Sequence, residues 1–236
     1  LTTQIGVLVL AGPKSREVLQ KLSDTDLGND NFKWLSGKRI DIGYAQAEAL
    51  RVNFIGELGW ELHHPIEMQN YIFDELMRAG ARHQIRPFGI RAMDSMRLEK
   101  SYRLIPRELS IEYSALESGL DRFVKLDKEH DFIGKQALLL WQKRGFKYRF
   151  VTLEIQGVKD ADARGSEGLY EGKRLVGRAT SGGFGFRTKK SLALGLVETQ
   201  SGVVGKDLEI EILGERFRAI VIENSPYDPD NARLRV

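Results

Sequence analysis

The sequence contains no cysteine. That absence excludes a disulfide scaffold, a thiolate nucleophile and a cysteine-ligated zinc site, and leaves a reducing interior as the default environment. Long apolar runs are lacking too: Ile5–Ala11 is among the longest, far short of the roughly 20 residues of a membrane helix. No basic-then-apolar secretory leader opens the chain, which begins with Leu1 rather than methionine. The prediction is a soluble protein with no membrane partner, cytoplasmic or, from a eukaryotic source, in the mitochondrial matrix. An excess of one charge is also missing, because 36 Lys and Arg stand interleaved with 33 Asp and Glu for a formal charge of +3. That is a solvated mixed surface, and no nucleic-acid partner is expected. The local exception, Arg187-Thr-Lys-Lys190, reads either as an exposed loop or as a landing place for an anionic ligand tail.

Several catalytic signatures are absent as well. No Gly-x-Ser-x-Gly elbow occurs, and no histidine is placed for a serine triad. His63 and His64 are adjacent, so on a strand they face opposite ways and cannot share a metal, and no metal site is predicted. The glycines of Thr180–Phe186 are not followed by a lysine-serine pair opening a helix, which removes a phosphate loop and leaves a hairpin turn. No Gly-x-Gly-x-x-Gly follows a strand, so no dinucleotide site is expected within the chain.

What is present is enough for a core: 236 residues, 42% of them hydrophobic. Ile5–Leu10 reads as a strand feeding a helix that carries Val18, Leu19 and Leu22 at helical spacing. Lys38–Ile42 and Ala49–Phe54 read as strands, and Gly59–His63 as the return arm of a glycine-bracketed hairpin. Glu67–Ala79 carries Met68, Tyr71, Ile72 and Leu76 on one stripe, predicting an amphipathic helix that ends at Gly80. Phe88–Glu99 should be helical after Pro87, and residues 131–145 have an acidic cap candidate, Asp131, with a terminal Gly145. After Phe146 the character changes to short strands at Phe150–Ile155, Arg174–Thr180, Ser191–Val197, Asp207–Leu213 and Phe217–Glu223. Alternation in Asp207–Leu213 puts Leu208, Ile210 and Ile212 on one face. The expectation is an α+β chain: a mixed part over residues 1–145 and a small antiparallel β-barrel over 146–236.

Three stretches go beyond packing. Glu57 lies between Gly56 and Gly59. Its carboxylate offers two coplanar acceptors, which match a flat heterocycle presenting two adjacent N–H donors, as a pterin does. The alternative is a solvated turn glutamate. Arg91, Asp94 and Arg97 fall three apart on one helical flank, either as an ion-pair ladder or as part of a site. Leu116-Glu-Ser-Gly-Leu120 says by itself only loop into strand.

Taken in order, Ala11–Arg16, Gly56–Leu62, Met93–Lys100, Leu116–Leu120, Asp131–Leu138 and Val176–Gly183 make the chain resemble a known family. It is similar to the folate-binding C-terminal portion of dimethylglycine and sarcosine dehydrogenases, related to the aminomethyltransferase (T-protein) of the glycine cleavage system. The resemblance implies a T-protein-like fold, a ferredoxin-like mixed subdomain followed by a small barrel. It implies tetrahydrofolate as cofactor, with Glu57 holding the pterin and Phe54, Gly56, Trp60 and Arg97 around it; it assigns no catalytic residue. The implied reaction is oxidative N-demethylation of an N-methyl amine, with the methylene group captured as 5,10-methylenetetrahydrofolate. FAD would bind only in a domain outside this chain, upstream in the same polypeptide or in a partner subunit, and the chain would be a fragment or one product of a divided gene. Two departures stand out. T-proteins show Tyr-Thr-Gly-Glu where this chain has Phe54-Ile-Gly-Glu57, and they carry a pterin-contacting arginine where it has Met93. A non-catalytic regulatory or folate-binding module is the other reading.

Overall fold

The computed structural model describes residues 3–236, in two compact units. One comprises residues up to Met93 together with Asp228–Val236; the other is Asp94–Tyr227.

The first unit is built on four antiparallel strands in the order β1-β4-β3-β2. They are β1 (Ile5–Ala11), β2 (Gly37–Ile42), β3 (Ala45–Leu50) and β4 (Gly59–Pro65). Pleating sends Ala45, Ala47 and Ala49 to one face. Against it pack Val18 and Leu19 of α1 (Ser15–Gln20) and Ile72 and Leu76 of α2 (Gln69–Gly80). This is the mixed part expected from the sequence, and its core is closed by Phe32, Leu58, Trp60 and Leu62. The opposite face stays open: Ile5, Val7 and Val9 of β1 are each more than two-fifths exposed.

One strand departs from its expected limits. β3 stops at Leu50: the Val52 N–H turns back to the Leu50 carbonyl, and further on the Asn53 side chain accepts the N–H groups of Ile55 and Gly56 and so removes them from a ladder. Residues 51–58 therefore form a loop, not the tip of a tight hairpin. The register beyond it is regular, with Glu48 opposite His63 and Leu50 opposite Glu61.

The second unit contains a closed antiparallel barrel in the order β10-β5-β8-β7-β6-β9. Its strands are β5 (Tyr148–Ile155), β6 (Gly168–Glu171), β7 (Arg174–Gly185), β8 (Lys190–Glu198), β9 (Asp207–Ile212) and β10 (Glu215–Ile222). Closure satisfies both edges of the sheet. Leu208, Ile210 and Ile212 point inward, as their alternation predicts, to meet Val151, Leu153, Leu169 and Val221. β6 was not legible in the sequence. The glycine run expected as a hairpin turn lies inside β7, where a Cβ at Gly182 would come 2.5 Å from the Ala163 carbonyl oxygen. Close backbone approach, not a turn, explains that glycine.

α3 (Ile90–Leu98) and α4 (Lys135–Arg144) lie where helices were expected. Asp131 does not cap α4: the residue before the helix is Gly134 at φ +93°, and no side chain caps it. The chain ends in the short α5 (Ala232–Arg235).

Candidate functional site

The loop between β3 and β4 is held from three directions. Ile55 and Leu58 are buried. The Leu58 carbonyl accepts from Ser15 Oγ (3.0 Å) and from the Gly12 N–H (2.8 Å), which pins the loop to the start of α1. Asn53 organises the middle: its Oδ1 accepts from the N–H groups of Ile55 (2.9 Å), Gly56 (3.0 Å) and Glu57 (3.4 Å), and its Nδ2 donates to the Glu57 carbonyl. The two glycines have different reasons. Gly56 has φ +75°, a left-handed geometry that β-branched or bulky residues resist. At Gly59 a Cβ would meet the Leu10 carbonyl oxygen at 2.6 Å, so the residue lets β1 and β4 approach.

Glu57 rides on this frame with its side chain 12% exposed and 3.9 Å from Arg233 of α5. Phe54 and Ile55, from the same loop, help wall a cavity of about 860 Å³ within the first unit. That is the size of a small-molecule site. Its other walls include Phe73, Phe88 and Met93, with Glu61 at the β4 side. The lining is mostly apolar; Glu61 is its one acid, Lys14 and Arg86 are its cations, and Glu57 stands beside the lining residues Phe54 and Ile55 without itself lining the cavity.

Trp60 is fully buried in the core. Its ring meets Phe32 edge-on at 6.1 Å, with the guanidinium carbons of Arg16 and Arg51 5.8 and 5.9 Å from its centroid. It supports the loop from the core side and has no surface to offer a ligand. Arg97 is also completely buried, in the second unit. Its Nε donates to Asp94 (2.7 Å), and its Nη1 to the Tyr102 carbonyl (3.0 Å) and Glu108 (3.5 Å). In the triplet the sequence singled out, the Asp94–Arg97 ion pair forms.

Glu108, which no sequence signal marked, is the hub of this interior. One oxygen accepts from Thr180 Oγ1 and Ser181 Oγ (both 2.6 Å), the other from the Leu104 N–H (2.8 Å) and Arg97. Consecutive strand residues normally face opposite ways, but a bulge in β7 between Ala179 and Ser181 re-aims both hydroxyls to one side. Nearby Arg103, held by the carbonyls of Ser118, Ser101 and Gly119, lies over the Phe150 ring at 3.9 Å. Burial lowers its pKa to about 10.

The basic cluster is partly committed. Arg187 is bonded to the buried Glu99 and stacked on Tyr227, and Lys190 donates to Glu154 at 2.6 Å. His64 is buried against Gln69 and the Leu62 carbonyl while His63 lies beside Glu61, on opposite faces as expected. Among the described residues no group of three or more His, Asp or Glu side chains could hold a metal ion, and no helix is long and apolar enough to cross a membrane.

Fold and site together define an α+β protein in which an antiparallel sheet, bearing a fixed acidic loop beside a pocket, precedes a closed barrel. Residues 1–128 match the GCVT N-terminal domain and residues 149–228 the glycine cleavage T-protein C-terminal barrel domain. The chain belongs to the glycine cleavage T-protein family. It is 41% identical to mitochondrial dimethylglycine dehydrogenase of Homo sapiens, covering 94% of this chain and 26% of that protein. It is 33% identical to mitochondrial sarcosine dehydrogenase of Mus musculus, over 98% of this chain and 26% of that protein. The chain thus spans about a quarter of the length of these dehydrogenases. Its fold is shared with the crystal structure of aminomethyltransferase T from Bartonella henselae, at a TM-score of 0.83 and 23% identity over 95% of this chain and 60% of that one.

Proposed function

We propose that this chain is the tetrahydrofolate-binding, one-carbon-transfer portion of an FAD-dependent dehydrogenase of the dimethylglycine or sarcosine type, with FAD held outside it. The kinship to both dehydrogenases supports the reading, and one observation carries it: the Glu57 carboxylate stands on a loop whose Phe54 and Ile55 also wall the cavity. A planar N–H edge fits that carboxylate, and a flat ring fits walls made by Phe54 and Met93. Bound tetrahydrofolate would supply the nitrogen nucleophiles that accept a one-carbon unit.

The chain's own residues would orient and shelter. Glu57 fixes the ring edge, Phe54 gives it an apolar face, and Gly56 leaves room at the turn. Trp60 and Arg97 act at one remove, the first by backing the loop and the second by holding the interior around Glu108. In this proposal residues 1–145 form the folate-binding domain and 146–236 the barrel domain. The N-methyl amine is bound with the upstream part, and a eukaryotic form works in the mitochondrial matrix, a bacterial one in the cytoplasm.

Calorimetric titration with a reduced folate tests the reading. Glu57→Gln should weaken binding by about 1.5–3 kcal/mol, the worth of a hydrogen bond to a charged group; unchanged affinity would remove Glu57 from the site. One observation favours the regulatory reading instead. Met93, an apolar residue, stands in the cavity wall where the resemblance leads one to expect an arginine. Folate binding without turnover in the protein joined to its FAD domain would decide for that reading.

A further inference from the structure

We propose that Asn53 is the positioning residue for the Glu57 carboxylate, an inference that rests on the folate reading given above. A glutamate side chain has three rotatable bonds, and an acidic group that must meet a rigid ring edge gains little if its backbone also moves. Asn53 removes the backbone part of that freedom. It contacts both sides of Glu57, accepting from its N–H at 3.4 Å and donating to its carbonyl, while the same oxygen gathers the N–H groups of Ile55 and Gly56. Three successive N–H groups turned inward by the left-handed Gly56 make a concavity of the kind that captures anions in other proteins. Here the asparagine oxygen fills it, so the loop needs no external ion and Glu57 stands as the acid nearest the turn.

Only asparagine meets all these demands. Aspartate could accept the same three N–H groups, but it would lose the donor to the Glu57 carbonyl and place a second negative charge beside the first. Serine is too short to span from residue 53 to the carbonyl of residue 57. The loop has independent anchors in buried Ile55 and Leu58 and in the Leu58 carbonyl contacts. Losing Asn53 should therefore loosen the acid's placement while the fold persists.

A double-mutant cycle on the full chain tests this, with tetrahydrofolate as the titrant and thermal melting to confirm folding. Asn53→Ala should weaken binding roughly tenfold in the native background and less than about twofold in a Glu57→Gln background, because the two substitutions remove one interaction. Asn53→Asp, which keeps the acceptor, should retain more affinity at high salt than at low salt. Without ligand, amide hydrogen exchange at Ile55, Gly56 and Glu57 should accelerate in Asn53→Ala while the β4 amides keep their protection. An Asn53→Ala chain that binds normally while Glu57→Gln does not, or that loses equal affinity in both backgrounds, overturns the positioning role and leaves the folate reading standing. Unchanged binding in Glu57→Gln, or no binding by the native chain, overturns both. Unchanged exchange at the three amides overturns the positioning role without any ligand.

Discussion

At the scale of single residues, the strongest constraints lie where charge is buried. Glu108 and Arg97 have no exposed side-chain surface, and removing Glu108 leaves Arg97 with Asp94 as its one remaining carboxylate and takes the acceptor from the Ser181 hydroxyl and the Leu104 N–H. Glu108→Ala should lower stability by about 3–5 kcal/mol, measured by urea unfolding of the full chain, and a loss below 1 kcal/mol would show that water reaches the site. Arg103 carries a related penalty. Its pKa is depressed to about 10, so the folded state holds its proton less tightly than the unfolded chain does. That cost is present in full at neutral pH and is relieved only as pH rises above about 10. Three carbonyls and the Phe150 ring offset it, which lysine, with a point charge and no planar fork, would do poorly.

At the scale of elements, local pattern and long-range need part company at identifiable places. Ile72 and Leu76 are buried on α2 as their spacing demands, and β9 alternates as its sequence reads, because in both cases the signal lies within a few neighbouring residues. The loop before β4 has the sequence of a strand because Val52 and Phe54 have strand character, while the deciding bond is donated by the Ile55 N–H to the Asn53 side-chain oxygen. Glu57 is legible as an acid between glycines; Asn53 carries no such mark, although asparagine side chains commonly bond the backbone two residues on. Nothing local could mark Glu108, whose hydroxyl partners are 72 and 73 residues away. The glycine run in β7 obeys the same logic, since its reason lies in Ala163. Gly182→Ala must move that carbonyl and should cost about 1–3 kcal/mol by overpacking, read as a lower thermal midpoint. An unchanged midpoint would mean that the 157–167 connection yields freely.

At the scale of the whole molecule, surface charge sets the response to acid. Several carboxylates on the barrel sit below their ordinary range: Glu171 chiefly through Lys206, Glu198 through Arg174 and Asp207 through Arg218. Asp26, in the first unit, is lowered first by the Gly28 N–H. Because each folded-state pKa lies below its unfolded value, these groups stabilise fully above the ordinary carboxylate range. They lose that contribution as pH falls through the depressed values. Melting temperature should therefore be flat between roughly pH 6 and 8 as far as these groups are concerned, and drop below about pH 4. Added salt should soften the drop, since all are in reach of solvent; a decline starting near neutrality would point to histidine instead.

The last nine residues belong to the first unit, and Arg51 is why. Its buried guanidinium donates to the carbonyls of Phe32, Leu234 and Val236, and Arg16 adds a second bond to Val236. During synthesis the sheet and its helices leave the ribosome early, yet the acceptors for Arg51 arrive only after the entire barrel has been made. A chain stopped by a nonsense codon after Tyr227 would thus carry every strand and still hold an arginine facing its own core without those two oxygens.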